Sequence, residues 1–415
     1  MTDRDGRKGA GIWGAAPEDD FNPPSGASES FPCAQCGAHL VFQPGTDRMV
    51  CPHCGHVNFI DSRSGEAIHE VDFRRALKDQ ISSTEIETTQ VVVCGNCGAA
   101  VERDEQERAS VCPYCASPLV GDPGANRHFK PKGLLPFVLS EREGRKALDA
   151  WLGSRWFAPS GLRQFARADK RLTGIYTPYW TFDADTQSEY TGRRGDTYYV
   201  TETYTVQTND GPRRMTRQVP RIRWSNVRGR VRRFFDDILV LASTGLPKTH
   251  ADQLAPWDLH ALVPYKADYL AGFRSEAYTV DLEEGFSEAR AVMDLQIRRD
   301  IRFDIGGDHQ QINSVDTQLG AITFKHILLP IWIAAYRYRG KSYQFVVNGR
   351  TGAVRGDRPY SAWKIVFAFL AGAAIMAALA YVLHVSGALD DMVGGAVPSI
   401  RFDTGGGGFG GSWNF

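Results

Sequence analysis

The order of apolar and polar positions divides the chain before any motif is considered. Residues 1–30 are rich in Gly, Pro, Asp and Ser without an apolar run, and read as a disordered leader, not a signal peptide. Within 61–89, Val71, Phe73, Leu77 and Ile81 recur at roughly helical spacing and predict a helical connector. Ser140 with Glu143 makes a capping box ahead of Leu148, Trp151 and Leu152, which share one face of a predicted helix. Tyr198, Val200, Tyr204 and Val206 alternate with threonines, interrupted by Glu202. They predict a strand turning near Asn209, Asp210 and Gly211. A second helix is predicted over Glu283 to Arg299, with Phe286, Ala289, Met293 and Ile297 on one side. The last predicted strands, Thr323 to Tyr338 and Ser342 to Val347, turn at Arg339, Gly340 and Lys341.

The longest apolar run, Ile365 to Leu383, carries no charge. As a helix it would extend about 29 Å, the thickness of a hydrocarbon core. It predicts a transmembrane helix over 363–385, with Trp363 and Tyr381 near its ends. Arg350, Arg355, Arg358 and Lys364 precede the run and only Arg401 follows it. The positive-inside rule then expects the N-terminal bulk in the cytoplasm and the Gly-rich tail over 386–415 outside an inner membrane. The tail contains GxGxxG, but it follows no strand and opens no helix, so it is low-complexity sequence.

The region 128–359 mixes both periodicities and predicts an α+β domain. Two of its elements recur in order. Leu134-Leu135-Pro136-Phe137 resembles Leu262-Val263-Pro264-Tyr265, and each precedes a helix. Pro178-Tyr179-Trp180 resembles Pro330-Ile331-Trp332, and each precedes strands. This order points to a two-fold repeat; chance recurrence of Pro and aromatic residues in turns is the alternative.

The cysteines change the picture most. Cys33, Cys36, Cys51 and Cys54 read C-x2-C-x14-C-x2-C, and Cys94, Cys97, Cys112 and Cys115 repeat the pattern 61 residues later, using all eight cysteines of the chain. The spacing fits two structural zinc ribbons, over 31–60 and 90–121, each closing a tetrahedral thiolate site around one Zn2+. Gly37, Gly55 and Gly98 follow the second cysteine of three knuckles, and Ala116 takes that place in the fourth. Disulfides would need an oxidising compartment, and redox CxxC pairs rarely come as matched quartets. His53 and His56 read as surface residues.

Sites for catalysis are not evident. GxxxxGK[ST], HExxH and GxSxG are all missing from the sequence. Asp183 and Asp185 would share a strand face as paired carboxylates, and with His326 they are the candidates if a pocket converges there. The bland reading, a solvated face, is favoured, and the chain is expected not to be an enzyme. The total of 48 basic against 48 acidic residues is balanced. Nine arginines nevertheless fall between Asp210 and Asp236 without an acid: Arg213, Arg214, Arg217, Arg221, Arg223, Arg228, Arg230, Arg232 and Arg233. They suit a solvated strand face first, anionic lipid second and nucleic acid third.

The tandem ribbons, IYTPYWTFDADTQSEYTG from Ile175, LLPIWIAAYRYRGKSYQFVVNGRTGAVRGDRP from Leu328 and the C-terminal apolar run together resemble a bacterial family. Its members are double zinc-ribbon (TFIIB-type) single-pass membrane proteins, often mislabelled primosomal helicase-like. The resemblance implies association with flotillin-like (SPFH) and phage-shock membrane-stress systems. The expected architecture is therefore multidomain: two zinc ribbons, an α+β domain with a two-fold repeat, and one C-terminal transmembrane helix. The expected role is a membrane-anchored adaptor that recruits proteins and tolerates homo-oligomerisation. A tethered nucleic-acid-binding protein is the alternative.

Overall fold

The computed structural model describes residues 31–61, 67–78, 82–102, 110–119, 123–154, 172–208, 211–338, 341–357 and 362–385. The leader, the turn residues Asn209, Asp210, Arg339 and Gly340, and the tail over 386–415 lie outside the described residues. Two compact units divide the chain: 1–154 with 164–357, and 155–163 with 358–415.

The first unit begins with a three-stranded sheet of β1 (Val41–Phe42), β2 (Arg48–Val50) and β3 (Val57–Phe59). β4 (Val71–Asp72) leads into α1 (Phe73–Leu77), whose first turn is capped by Asp72 accepting from Arg75 N. Among the described residues of the expected helical connector, the α-helix is Phe73–Leu77 and a 3-10 turn covers Ser83–Glu85, while Ile81 lies outside them. β5 (Ile86–Val93), β6 (Ala100–Glu102), β7 (Ser110–Val111) and β8 (Pro118–Leu119) frame the second cysteine quartet. β9 (Gly124–Phe129), β10 (Gly133–Leu134) and α2 (Glu141–Gly153) follow, and α2 carries the capping box of Ser140 and Glu143.

Three strands then dominate. β11 (Thr173–Thr208) has 36 residues and β12 (Gly211–Leu241) has 31. α3 (Lys248–Asp252), β13 (Val263–Pro264), β14 (Arg274–Ala277) and α4 (Leu282–Ile305) lead to β15 (His309–Tyr338), which has 30. β16 (Lys341–Asn348) and β17 (Val354–Gly356) close the unit. Among the described residues twelve strands form one sheet, in which β11 lies between β12 and β15, antiparallel to both. Strands of this length far exceed the usual five or six residues. The expected α+β balance is therefore corrected: the fold is mostly sheet. The alternation seen at Tyr198 to Val206 runs on through residues with no strong period of their own.

The centre of the sheet has local two-fold symmetry. β11 and β15 cross antiparallel with Thr177 opposite Leu329, so Pro178 and Pro330 lie equally far on either side. β10 pairs parallel with β15, Gly133 to Ile327, and β14 pairs parallel with β11 at the equivalent place, Arg274 to Ile175. Trp180 Nε1 donates to Val280 O at 3.0 Å, just before the N-cap Asp281 of α4. Trp332 Nε1 donates to Leu139 O at 3.0 Å, just before the N-cap Ser140 of α2. Phe137 packs 4.9 Å from the Trp332 ring, and Tyr278 packs 4.7 Å from Trp180. Ala242 N donates to Pro178 O at 3.0 Å, and Gly349 N to Pro330 O at 2.9 Å.

In this local symmetry the Pro-x-Trp elements are counterparts. Leu134–Phe137 corresponds in space to Ser275–Tyr278, and Leu262–Tyr265 belongs to the strand paired with β10. The true match escapes sequence comparison because the two segments share only the final aromatic residue.

The second unit contributes α5 (Ala362–Val385). Among the described residues no helix is long and apolar enough to cross a membrane, and the single span expected over 363–385 is corrected on that ground.

Each tryptophan lies over a glycine one turn into the facing helix. A Cβ on Gly285 would come 2.7 Å from Trp180 Cδ1, and one on Gly144 3.1 Å from Trp332 Cδ1. Alanine at a helix interior normally gains about 0.5–1 kcal/mol over glycine, whereas overpacking a buried ring costs about 1–3 kcal/mol. Gly285→Ala is expected to lower stability by about 1–2 kcal/mol. Gly144→Ala should be close to neutral, as read from urea midpoints of the two variants.

Candidate metal centres and the buried charges

The cysteine quartets come together as the spacing predicts. Within each quartet one Sγ from every cysteine lies within 4.8 Å of the others. Cys33 and Cys54 are 3.6 Å apart, as are Cys36 and Cys51; Cys94 and Cys115 are 3.5 Å apart, and Cys97 and Cys112 3.6 Å. A tetrahedral site with metal–sulfur bonds of about 2.3 Å has edges of about 3.8 Å, so both cages fit a metal ion and are too wide for a disulfide. None of the eight forms a disulfide.

The four knuckles share one backbone geometry. Gly37, Gly55, Gly98 and Ala116 donate to the carbonyls of Cys33, Cys51, Cys94 and Cys112 at 2.8–2.9 Å. Their φ angles are 73°, 72°, 80° and 55°. Ala116 therefore adopts the glycine conformation at a cost of about 1–2 kcal/mol, evidence that the surrounding contacts hold the knuckle in place. Backbone N–H groups face the sulfurs: His53 and Cys54 at Cys51, Tyr114 and Cys115 at Cys112. These dipoles favour thiolate, the form that binds metal. His53 is exposed and His56 half-buried; neither belongs to a cysteine cage.

The two centres differ in setting. In the first, Cys36 and Cys54 are exposed, and Phe59, on the last strand of the same ribbon, is 79% exposed. This ribbon rests on the sheet through Phe42, which donates its N–H to Ala271 O at 2.9 Å and packs 5.2 Å from Tyr269. In the second, Cys94, Cys112 and Cys115 belong to a buried apolar cluster with Ile175, Tyr179 and Leu241. Tyr114, inside the last knuckle, is fully buried. Its hydroxyl donates to Glu276 and lies 3.2 Å from Thr177 Oγ1, while Ser243 Oγ donates to Glu276 at 2.7 Å. Burial pushes the Glu276 carboxyl up to about 8. Sequence reasoning missed this network. Its single signal was a tyrosine between two ligands, and Glu276 occupies the place that Leu135 holds in the other half.

Asp183 and Asp185 do not share a face. A β-bulge between them turns Asp183 inward, 2% exposed, and leaves Asp185 in solvent. Asp183 accepts from Asp237 N at 2.5 Å and lies 3.4 Å from Lys325 Nζ, which also meets Asp237 at 2.8 Å and Glu70 at 3.1 Å. Burial, with Glu70 alongside, pushes Asp183 up to about 6. Burial opposes the charge on Lys325, yet the three carboxylates hold its ammonium above the usual lysine range. Asp183, Asp236 and Asp237 are close enough to hold a cation, and Lys325 already supplies one. Asp185 borders an open groove of about 470 Å³ with Thr186, Arg233 and Leu319, which neither Asp183 nor His326 lines. His326 is buried against Trp180, with Nδ1 2.7 Å from Phe129 O. Its burial holds it down to about 3.

Four of the nine arginines of the run form ion pairs among the described residues. Arg217 and Arg221 hold Glu202, Arg230 holds Glu189, and Arg233 meets Asp300 at 2.8 Å. Arg193 lies 5.2 Å over the Trp224 ring.

No protein-family model matches the chain, and no solved structure matches it. It is similar to an uncharacterized protein, YdjG of Bacillus subtilis (strain 168), at 26% identity over 352 residues, covering 84% of this chain and 96% of that protein.

Two outcomes follow from the contrast between buried and exposed groups. Cys112→Ser should unfold the sheet along with its centre, losing several kcal/mol. Cys54→Ser should leave the sheet's near-ultraviolet circular dichroism intact while one metal equivalent is lost. Separately, His326 refuses a proton that the unfolded chain accepts below about pH 6.5, so its contribution is present above that pH and fades as pH falls towards 3. His326→Asn, which keeps a donor for Phe129 O, should flatten the acid limb of stability against pH by up to about 1.4 kcal/mol per unit. Asp183, with its opposite trend, is common to both proteins.

Proposed function

We propose that the chain is a non-enzymatic adaptor with two structural Zn2+ ions, whose first ribbon presents a docking face for other proteins. The observation that carries this reading is the contrast between the two centres. Four thiolates complete each shell and leave no position for a reacting ligand. One centre is buried in the sheet core, whereas the other shows two ligands and Phe59 at the surface. An exposed aromatic on the same small ribbon as an exposed metal knuckle suits a protein contact. The groups with catalytic character, Asp183, Lys325 and His326, are engaged inside the sheet. Thiolates kept for zinc suit a reducing compartment. The partners that the family resemblance suggests are flotillin-like and phage-shock-type proteins.

A second reading, nucleic-acid binding along Arg213 to Arg233, draws support from the arginine–indole stack at Trp224. The ion pairs to Glu202, Glu189 and Asp300 weigh against it.

Photocrosslinking in cells with a reactive residue at Phe59, compared with one at Leu319 on the sheet, tests the proposal. Discrete protein adducts at Phe59 that vanish in Cys36→Ser are the expected result. Adducts to nucleic acid, or equal labelling at both positions, would overturn it. So would turnover of a small molecule that depends on Asp185.

A further inference from the structure

The long hairpin outgrows the sheet that supports it. His309, the first residue of β15, pairs with Gly195, and among the described residues only β12 pairs with β11 beyond that point. From Thr197 to Thr208 the hairpin therefore continues as a two-stranded arm about 40 Å long. Two strands alone are marginal in water, and each has an open edge.

The edges are treated differently. On β12, Pro212 and Pro220 lack N–H groups, and Arg213, Arg214, Arg217, Arg221 and Arg223 line the strand. Prolines and dense charge protect an edge from pairing. On β11, Tyr198 to Gln207 contains no Pro, Gly, Lys or Arg. Its one charge, Glu202, is held by Arg217 at 3.2 Å and Arg221 at 2.9 Å within the same hairpin. The rest is Thr, Tyr, Val and Gln, with Tyr198, Val200 and Tyr204 exposed on one face and Tyr199 65% exposed on the other. One edge is guarded and its neighbour is a neutral template of high strand propensity.

We propose that the β11 edge pairs antiparallel with the same edge of a second copy, about a two-fold axis at Thr203. In this register Val200 faces Val206 of the second copy, Thr201 faces its Thr205, and Glu202 faces its neutral Tyr204. Like side chains of this kind stabilise cross-strand pairs, and the two acids avoid standing directly opposite. The arginines remain on the outer strands. Three strand spacings, about 14 Å, separate them, beyond the Debye length of about 8 Å. The two bodies sit at opposite ends of the four-stranded arm and do not collide. The guarded β12 edges stop further addition, so assembly closes at two copies.

Thr203→Cys in the full chain, oxidised mildly, tests the axis. Residues related by such an axis have Cα atoms about 4.5–5.5 Å apart, within reach of a disulfide. Most of the chain is expected to migrate as a crosslinked dimer on a non-reducing gel. Gln207→Cys, which faces Tyr199, should crosslink no more than the parent. Sedimentation velocity supplies the second arm. Thr201→Lys with Thr205→Lys should weaken the dimer at least tenfold, and Thr201→Lys with Thr205→Glu should restore it. A parent chain that stays monomeric at tens of micromolar would overturn the proposal. So would association that ignores both double variants, which would assign it to the exposed apolar side chains of α5.

Discussion

The crossing of β11 over β15 at Thr177 and Leu329 is the constraint on which the other features rest. Each tryptophan sits on one strand and hydrogen-bonds the chain just before the helix of the other half. Neither half can seat its own helix alone, because the carbonyl that fixes Trp180 comes from Val280 and the one that fixes Trp332 comes from Leu139. The halves are interlocked in a way that two beads on a string are not. A buried indole N–H without its carbonyl would cost about 1–3 kcal/mol, so the two bonds also penalise any register in which the strands slip.

This frame explains where departures from symmetry are tolerated. The loop after the first half's strand is drawn out into the arm, whereas the corresponding hairpin of the second half closes between Tyr338 and Lys341. The first half has Leu135 where the second has Glu276. That carboxylate is acceptable because the second metal knuckle brings Tyr114 to it and Ser243 donates from the turn. The cysteine ribbon thus fills a polar hole where the two halves depart from symmetry.

The cysteine quartets were legible in the sequence because metal geometry demands a fixed spacing that no other constraint produces. The capping box at Ser140 and the Pro-x-Trp recurrence were legible for a related reason: each is a local requirement met by few residue types. The strand lengths were not. Thr, Tyr, Arg and Gln alternate over 173–241 without an apolar stripe, since much of the hairpin has no core to face. The inward turn of Asp183 was hidden too. A bulge is set by the pairing of Phe182 with Ile238 and Ala184 with Phe235, and simple alternation puts Asp183 and Asp185 on one face. Around Ile365 the apolar run did predict helix, while its environment was beyond what composition can specify.

The burial of Tyr114 also has a consequence in time. Its partners lie 63 and 162 residues further along the chain, at Thr177 and Glu276. At about 5–20 residues per second, a ribosome completes the second of these roughly 8–30 s after the knuckle emerges. During that interval the ligands of the ribbon are complete and the core meant to enclose them does not exist. Metal capture belongs to the nascent chain, and later closure of the sheet shuts the ion in. A chain made while the metal is scarce would leave its core open around the empty knuckle, exposed for as long as the supply is delayed.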